Sequence, residues 1–204
     1  MYELFLENNL IELESIEKNA GLEKIENAEL EILFQECGGA SIKRGLYRVH
    51  TAKSCLFWSA ILNSYFPNYG GKIYPFGFDW LGRQFCINIS NRKVIMMFDP
   101  STVQGYELEE DIVLFHNRDM VVDRDDTISE NAFEYFLKEL AVSKISYNEC
   151  VAHKTPLFLG GTDDVANYEV SDIEVHWDIQ YQIYMQVKDL PPGTKINSVK
   201  FQKG

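Results

Sequence analysis

The sequence predicts an α+β fold: a single domain with a mainly antiparallel sheet and helices gathered toward its N-terminal side. Three observations carry this. Apolar residues recur at helical spacing in the first third of the chain. Between residues 72 and 108 the texture changes to short runs rich in Ile, Val, Phe and Tyr, joined by tight turns, which only antiparallel neighbours allow. Finally, 204 residues with 46 % apolar and 25 % charged side chains match an ordinary globular chain, long enough to bury a core without disulfide or metal staples.

The N-terminal 36 residues hold ten Glu and two Lys, a local charge of −8, so residues 37–204 carry only −4 of the total −12. The expected division is an acidic helical segment, 1–36, followed by an α+β domain, 37–204. Residues 11–18 are expected as a short helix. Leu22, Ile25, Leu30, Leu33 and Phe34 predict a second helix over 22–36, stopped by Gly38 and Gly39. Residues 45–50 alternate as a strand. Ser54 then caps a helix reaching Tyr65, with Phe57, Trp58, Ile61 and Leu62 on its apolar side and Pro67 ending it. Strands are expected at 72–78, 83–89, 94–98 and 103–108.

Thr127 and Glu130 fit a capping box for a helix running to Leu140, with Phe133, Phe136, Leu137 and Leu140 facing the core. Residues 170–176 alternate as a strand, placing Asp172 and Glu174 on one face. Residues 177–187 fit either a helix or a strand, and a last strand is expected at 195–201.

Charge and cysteines narrow the function. A net charge of −12 argues against binding nucleic acid, which needs Lys and Arg against phosphate, and against docking on an anionic membrane. No apolar run approaches the roughly 20 residues of a spanning helix, and the first 18 residues lack the basic and apolar regions of a secretory signal. Cys37, Cys55, Cys86 and Cys150 are widely spaced and form no CxxC pair, as expected of reduced thiols in a cytoplasmic protein.

No catalytic residue, metal or cofactor is expected. Asp123, Asp125, Thr127 and Glu134 stand at calcium-loop positions, but Ile128 occupies the position that needs Gly, and helix capping explains the same acids. Cys150 and His153 lack a second pair at zinc-ligand spacing. There is no GxSxG elbow, and the glycines at 160–161 precede Asp163 and Asp164, which would repel phosphate.

Two acidic clusters suit capture of a basic protein. One is Glu107, Glu109, Glu110 and Asp111. The other is Asp163, Asp164, Glu169, Asp172, Glu174 and Asp178, with Trp177 among them and no Lys or Arg from 163 to 178. Opposite fields speed encounter, and an aromatic supplies a desolvated anchor. The expected contact set is Glu107, Glu109, Glu110, Asp163, Asp164, Trp177 and Asp178. The plainer alternative is that both clusters are solvated faces and Trp177 is core.

The run FGFDWLGRQF at 76–85, the FDP turn at 98–100, and PLFLGG at 156–161 with NYEVSD at 167–172 resemble bacterial toxin-immunity proteins of the SUKH superfamily and the related GAD-like immunity domains. The resemblance spans about residues 35–200. It implies a non-enzymatic cytoplasmic protein that binds and neutralises a cognate protein toxin, and it carries over no catalytic residue. A toxin that is a nuclease would itself be basic. By residue type, Asp79 is expected to cap a turn before Gly82, Trp80 and Phe85 to anchor the sheet, and Arg83 to pair with an internal carboxylate. The rival readings are a carboxylate-dependent hydrolase and a regulatory protein-binding module.

Overall fold

The computed structural model describes residues 1–13, 21–25, 27–108, 111–191 and 193–201, and only the backbone of 91–93. It is an α+β fold built on a seven-stranded antiparallel sheet whose spatial order is the sequence order. The strands are β1 (Ile11–Leu13), β2 (Ala40–Ile42), β3 (Tyr47–Val49), β4 (Ile73–Asp79), β5 (Gln84–Asn88), β6 (Asn91–Asp99) and β7 (Gln104–Leu108). A second sheet pairs β8 (Glu149–His153) with β9 (Tyr168–Asp172).

Helices cover both faces of the large sheet. Along β5, Phe85 and Ile87 enter one apolar cluster while Cys86 enters the other, as strand alternation requires. The first cluster draws on α1 (Glu3–Asn8), α2 (Ala28–Cys37) and α6 (Glu130–Glu139). The second draws on α3 (Ala52–Tyr65) and α7 (Ile173–Val187). Two short helices, α4 (Ile112–Leu114) and α5 (Arg124–Ile128), lie between β7 and α6.

The acidic N-terminal segment is part of this core. Tyr2, Phe5, Leu30, Leu33 and Phe34 are fully buried, and β1 forms one edge of the sheet. Residues 11–13 are therefore strand where a helix was expected, because Ile11 and its neighbours pair with β2; residues 14–20 lie outside the described residues. The helix expected over 22–36 begins later. Leu22–Lys24 is a 3-10 turn, and Asn27 then caps α2 by accepting from the Leu30 N–H at 2.8 Å.

Capping also differs at α3. Thr51, not Ser54, is the cap: its hydroxyl accepts from the Ser54 N–H while Ser54 Oγ accepts from the Thr51 N–H, a reciprocal box. The box expected at 127–130 does not form. Thr127 lies inside α5 and donates to the Asp123 carbonyl, Ser129 turns the chain at φ +58°, and Glu130 instead pairs with Lys43 and Arg124. Burial raises the Glu130 carboxyl, but those two cations outweigh it and hold it below the usual range. Phe133, Phe136 and Leu137 face the core as expected, whereas Leu140 lies beyond the end of α6 and is exposed.

In the C-terminal third the strand ends at Asp172. Ile173 and Val175 belong to α7, because the Asp172 carboxylate accepts from the Glu174 and Val175 N–H groups and starts a helix there. Residues 195–201 form no strand; this stretch is held to α7 by the Gln186 side chain, which bonds both the N–H and the C=O of Lys200.

One buried guanidinium joins the two sheets. Arg48 of β3 is fully buried, lies over the Phe78 ring at 4.6 Å, and donates to the carbonyls of Asp79, Ser146 and Glu149. Asp79 does cap the following turn, accepting from the Leu81 and Arg83 N–H groups at 3.0 Å, and its carboxylate pairs with Arg83. The Trp80 carbonyl accepts from Val151 of β8, and the Trp80 indole donates to Ile128. Replacing Arg48 by Met should destabilise the protein by about 3–5 kcal/mol, because the carbonyls of Asp79, Ser146 and Glu149 each lose a charged donor, the first of them in the core, and buried Asp79 loses a neighbouring cation. Urea denaturation followed by tryptophan fluorescence measures this; a loss below about 1 kcal/mol would contradict the role.

Candidate functional site

The chemistry-bearing side chains fall into three places. The first is a groove between α3 and the start of α7. Two adjoining hollows, of about 480 and about 540 Å³, share Trp58, Asp172 and Glu174. His50, Ser54, Phe57, Phe78 and Tyr147 line the first, with Lys53 among its charged groups. Tyr65 and Asp178 line the second. Phe57, Val175 and Ile179 are 46 %, 51 % and 37 % exposed on the same two helices. The Tyr65 ring stacks on Tyr181 at 3.7 Å, which fixes its orientation.

The acids of this groove arise from how α7 begins. Asp172 caps the helix, and Glu174 in its first turn sits where the helix dipole favours negative charge. Asp178, one turn on, accepts from the Tyr65 hydroxyl at 3.4 Å and from Gln182 at 2.7 Å. None of the three is ion-paired among the described residues.

The second place is a polar chain linking the β6–β7 turn to β8 and the loop before β9. Ser101 Oγ lies 2.7 Å from His153 Nδ1, and His153 Nε2 lies 2.9 Å from Asp163 Oδ1, which also accepts from the Tyr168 hydroxyl at 2.6 Å. Partial burial raises the Asp163 carboxyl, but the bonds from Tyr168 and His153 and the charge of Arg83 outweigh it and hold it low. Ser, His and Asp in series have the connectivity of a hydrolytic triad. Ser101 is only 2 % exposed, however, so the chain acts here as a staple between the two sheets. Sequence reasoning missed it because its three residues stand 52 and 10 positions apart, with no flanking motif.

The third place is an open hollow beside β7, lined by Glu107, Arg83, Arg118 and the acids Asp119, Asp123 and Asp126. Arg118 pairs with Asp119 at 2.8 Å, so much of its charge is compensated. The calcium-spaced oxygens are committed to separate partners: Asp125 accepts from the Asn131 N–H, and Glu134 pairs with Arg44.

The contact residues expected from sequence therefore do not share one cleft. Asp178 lines the α3–α7 groove, Glu107 the hollow beside β7, and Asp163 and Asp164 the loop before β9, where Asp164 caps a 3-10 turn. Glu109 and Glu110 lie outside the described residues. Trp177 is corrected outright: it is 1 % exposed, its indole donates to the Gly82 carbonyl at 2.8 Å, and it packs on Trp58 and Phe66, so it is core and offers a partner no anchor. The groove instead exposes Phe57, which the sequence placed on the inner face of its helix.

All four cysteines are buried, and burial pushes the Cys55, Cys86 and Cys150 thiols well up, the opposite of an activated nucleophile. Among the described residues no helix is long and apolar enough to cross a membrane.

The fold has a solved counterpart. The crystal structure of Atu4351 from Agrobacterium tumefaciens superposes with a TM-score of 0.60 at 17 % identity, covering 89 % of each chain. At that identity the likeness shows a shared fold and nothing more. No family profile matches the chain, and no curated protein does.

His50, His116 and His176 give a test of this packing. His50 bonds Ser54 Oγ and Gln84, and His116 accepts from the Tyr47 hydroxyl while its Nδ1–H faces the Ile112 carbonyl at 2.7 Å. Burial lowers each of the three to about 4. The folded state thus binds fewer protons than the unfolded one between pH 6.5 and 4, and the stability these groups hold above pH 6.5 is lost as pH falls through that window. The expected slope approaches about 1.4 kcal/mol per pH unit for each histidine. Urea midpoints at pH 7, 5.5 and 4.5 measure it; a flat profile would show that these rings do not lose their protons on burial.

Proposed function

We propose that this protein acts by capture: it is a non-enzymatic immunity protein that binds a cognate bacterial protein toxin through a basic surface of that toxin and neutralises it by covering it. Two things support the reading. The motifs at 76–85, 98–100 and 156–172 resemble immunity proteins of the SUKH and GAD-like families. The α3–α7 groove sets exposed apolar side chains beside three carboxylates that have no ion-pair partner among the described residues, the apolar-centre, charged-rim arrangement of protein interfaces. That juxtaposition is the observation on which the proposal stands. A nuclease fits as the toxin, since a surface that holds phosphate must be basic. The buried thiols of Cys55, Cys86 and Cys150 suit the reducing cytoplasm in which such a toxin would act.

Hydrolysis is the second reading, favoured by the Ser101–His153–Asp163 chain alone. Labelling by a serine-directed fluorophosphonate that disappears in Ser101→Ala would favour it; the burial of Ser101 leads us to expect no labelling.

The capture reading expects a toxin gene beside the gene for this protein, and co-expression with the product of that gene should rescue growth. With an inactivated form of that toxin, stopped-flow association should slow by about tenfold or more from low to high salt while dissociation changes little, because screened charges steer encounter rather than hold the docked complex. Absence of rescue would reject the reading, and a salt-independent association rate would reject its electrostatic part.

A further inference from the structure

The α7 side of the groove has a composition that selects its occupant. Tyr65, stacked on Tyr181 and partly exposed, brings aromatic surface from α3, with Trp58 beside it only 5 % exposed, while Asp172, Glu174 and Asp178 bring carboxylates from the start of α7. Lys53 lines only the adjoining hollow, so the charged lining on the α7 side is three acids with no Lys or Arg among the described residues. The acids reach the Tyr65 ring electrically. Burial, then Asp178, Tyr181 and Glu174, push the Tyr65 hydroxyl up to about 12, so the carboxylates act on the same few ångströms of space.

Aromatic faces attract cations through their quadrupole, and carboxylates pair with them. A guanidinium satisfies both at once: it is planar, weakly hydrated, stacks on rings and presents paired N–H donors, whereas an ammonium is compact and strongly hydrated. The hollow's volume of about 540 Å³ leaves room for the whole side chain.

We propose that this hollow receives an arginine side chain of the partner protein, its guanidinium against the partly exposed Tyr65 and beside the buried Trp58, and its charge met by Glu174 and Asp178. The assignment rests on the capture reading and names the partner group that the groove reads. Asp172 contributes field, but its carboxylate is already engaged in starting α7.

The test uses the full chain and three small probes, N-acetyl-arginyl-glycinamide, its citrulline isostere and its lysine analogue, followed by 15N NMR. The arginine probe should shift the Trp58 indole signal and the amides of residues 174–178. It should leave the Trp80 indole unmoved, since that group donates to Ile128 in the other core cluster. It should bind about tenfold more tightly than citrulline. Glu174→Gln combined with Asp178→Asn should reduce the arginine probe to the citrulline level. Glu174→Gln alone, at an exposed side chain, should give a partial loss without disturbing the fold.

Equal binding of the arginine and citrulline probes, unmoved groove signals, or tighter binding of the lysine analogue would each overturn the arginine assignment. The two ideas fail separately. If the double variant binds the neighbouring toxin gene's product as tightly as the unaltered protein does, the arginine assignment falls while capture stands. If the unaltered protein ignores that toxin but holds the arginine probe in the groove, the capture reading falls and the pocket's chemistry is upheld.

Discussion

The buried Arg48 guanidinium is the contact on which the placement of the second sheet, and through it of α7, depends. A charge removed from water is costly unless its donors are met and a counter-charge is near. The terminal nitrogens of Arg48 meet the first condition and Asp79 the second. Three carbonyls accept from it, two of them in the 146–149 turn that leads into β8, and Asp79 lies beside it. The cation therefore fixes where β8 starts. From β8 the positions of β9 and α7 follow by strand pairing, by the Asp172 cap, and by the Trp177 indole reaching back to Gly82. The α3–α7 groove lies at the end of that sequence of constraints, some distance in the chain from the residue that sets it.

The same arrangement limits where a partner can bind. Both faces of the large sheet are packed under helices, and β4 is buried along nearly its whole length. Gly77 illustrates how tight this is: a Cβ there would stand 2.0 Å from the Tyr47 hydroxyl. Little recognition surface remains apart from sheet edges and the outer sides of helices. Of these, the outer side shared by α3 and α7 combines exposed apolar area, aromatic walls and acids without ion-pair partners among the described residues. The hollow beside β7 has comparable acidity, but Arg83 and Arg118 share it and lower its net field.

Much of the fold was legible because its elements are locally consistent. The strand runs at 72–78, 83–89, 94–98 and 103–108 are rich in β-branched and aromatic residues and are closed by turns, and each appears within a residue or a few of its expected bounds. The FGFDWLGRQF run also behaved as its residue types suggest: Asp79 caps, Arg83 pairs with it, and Trp80 and Phe85 are core. The errors arose where a tertiary partner outbid a local signal. Glu130 satisfies a capping box on paper, but Lys43 and Arg124 claim its carboxylate. Ile173 and Val175 alternate with acids as a strand would, yet one Asp carboxylate on two N–H groups starts a helix. The site was less legible still. Counting acids finds negative charge, but only packing shows that Asp178 faces Tyr65 while Trp177, its immediate neighbour, turns inward.

Those two neighbours show why an acidic sequence cluster is a poor guide to an interface. On a helix, adjacent residues point about 100° apart, so a run of acids around an aromatic divides between inner and outer faces. What unites Asp172, Glu174 and Asp178 is their place at the start of one helix beside α3. Negative charge at that end also favours the helix itself. The acids of the groove thus have two physical reasons to be there, one in folding and one in recognition, and they share them unequally. Asp172 is bound to the helix start through two N–H groups, so removing its charge would loosen α7 as well as weaken the field. Glu174 makes no side-chain hydrogen bond or ion pair within the described structure, and Asp178 touches only Tyr65 and Gln182. Their charges contribute little to holding the fold, which leaves them free to act on whatever enters the groove.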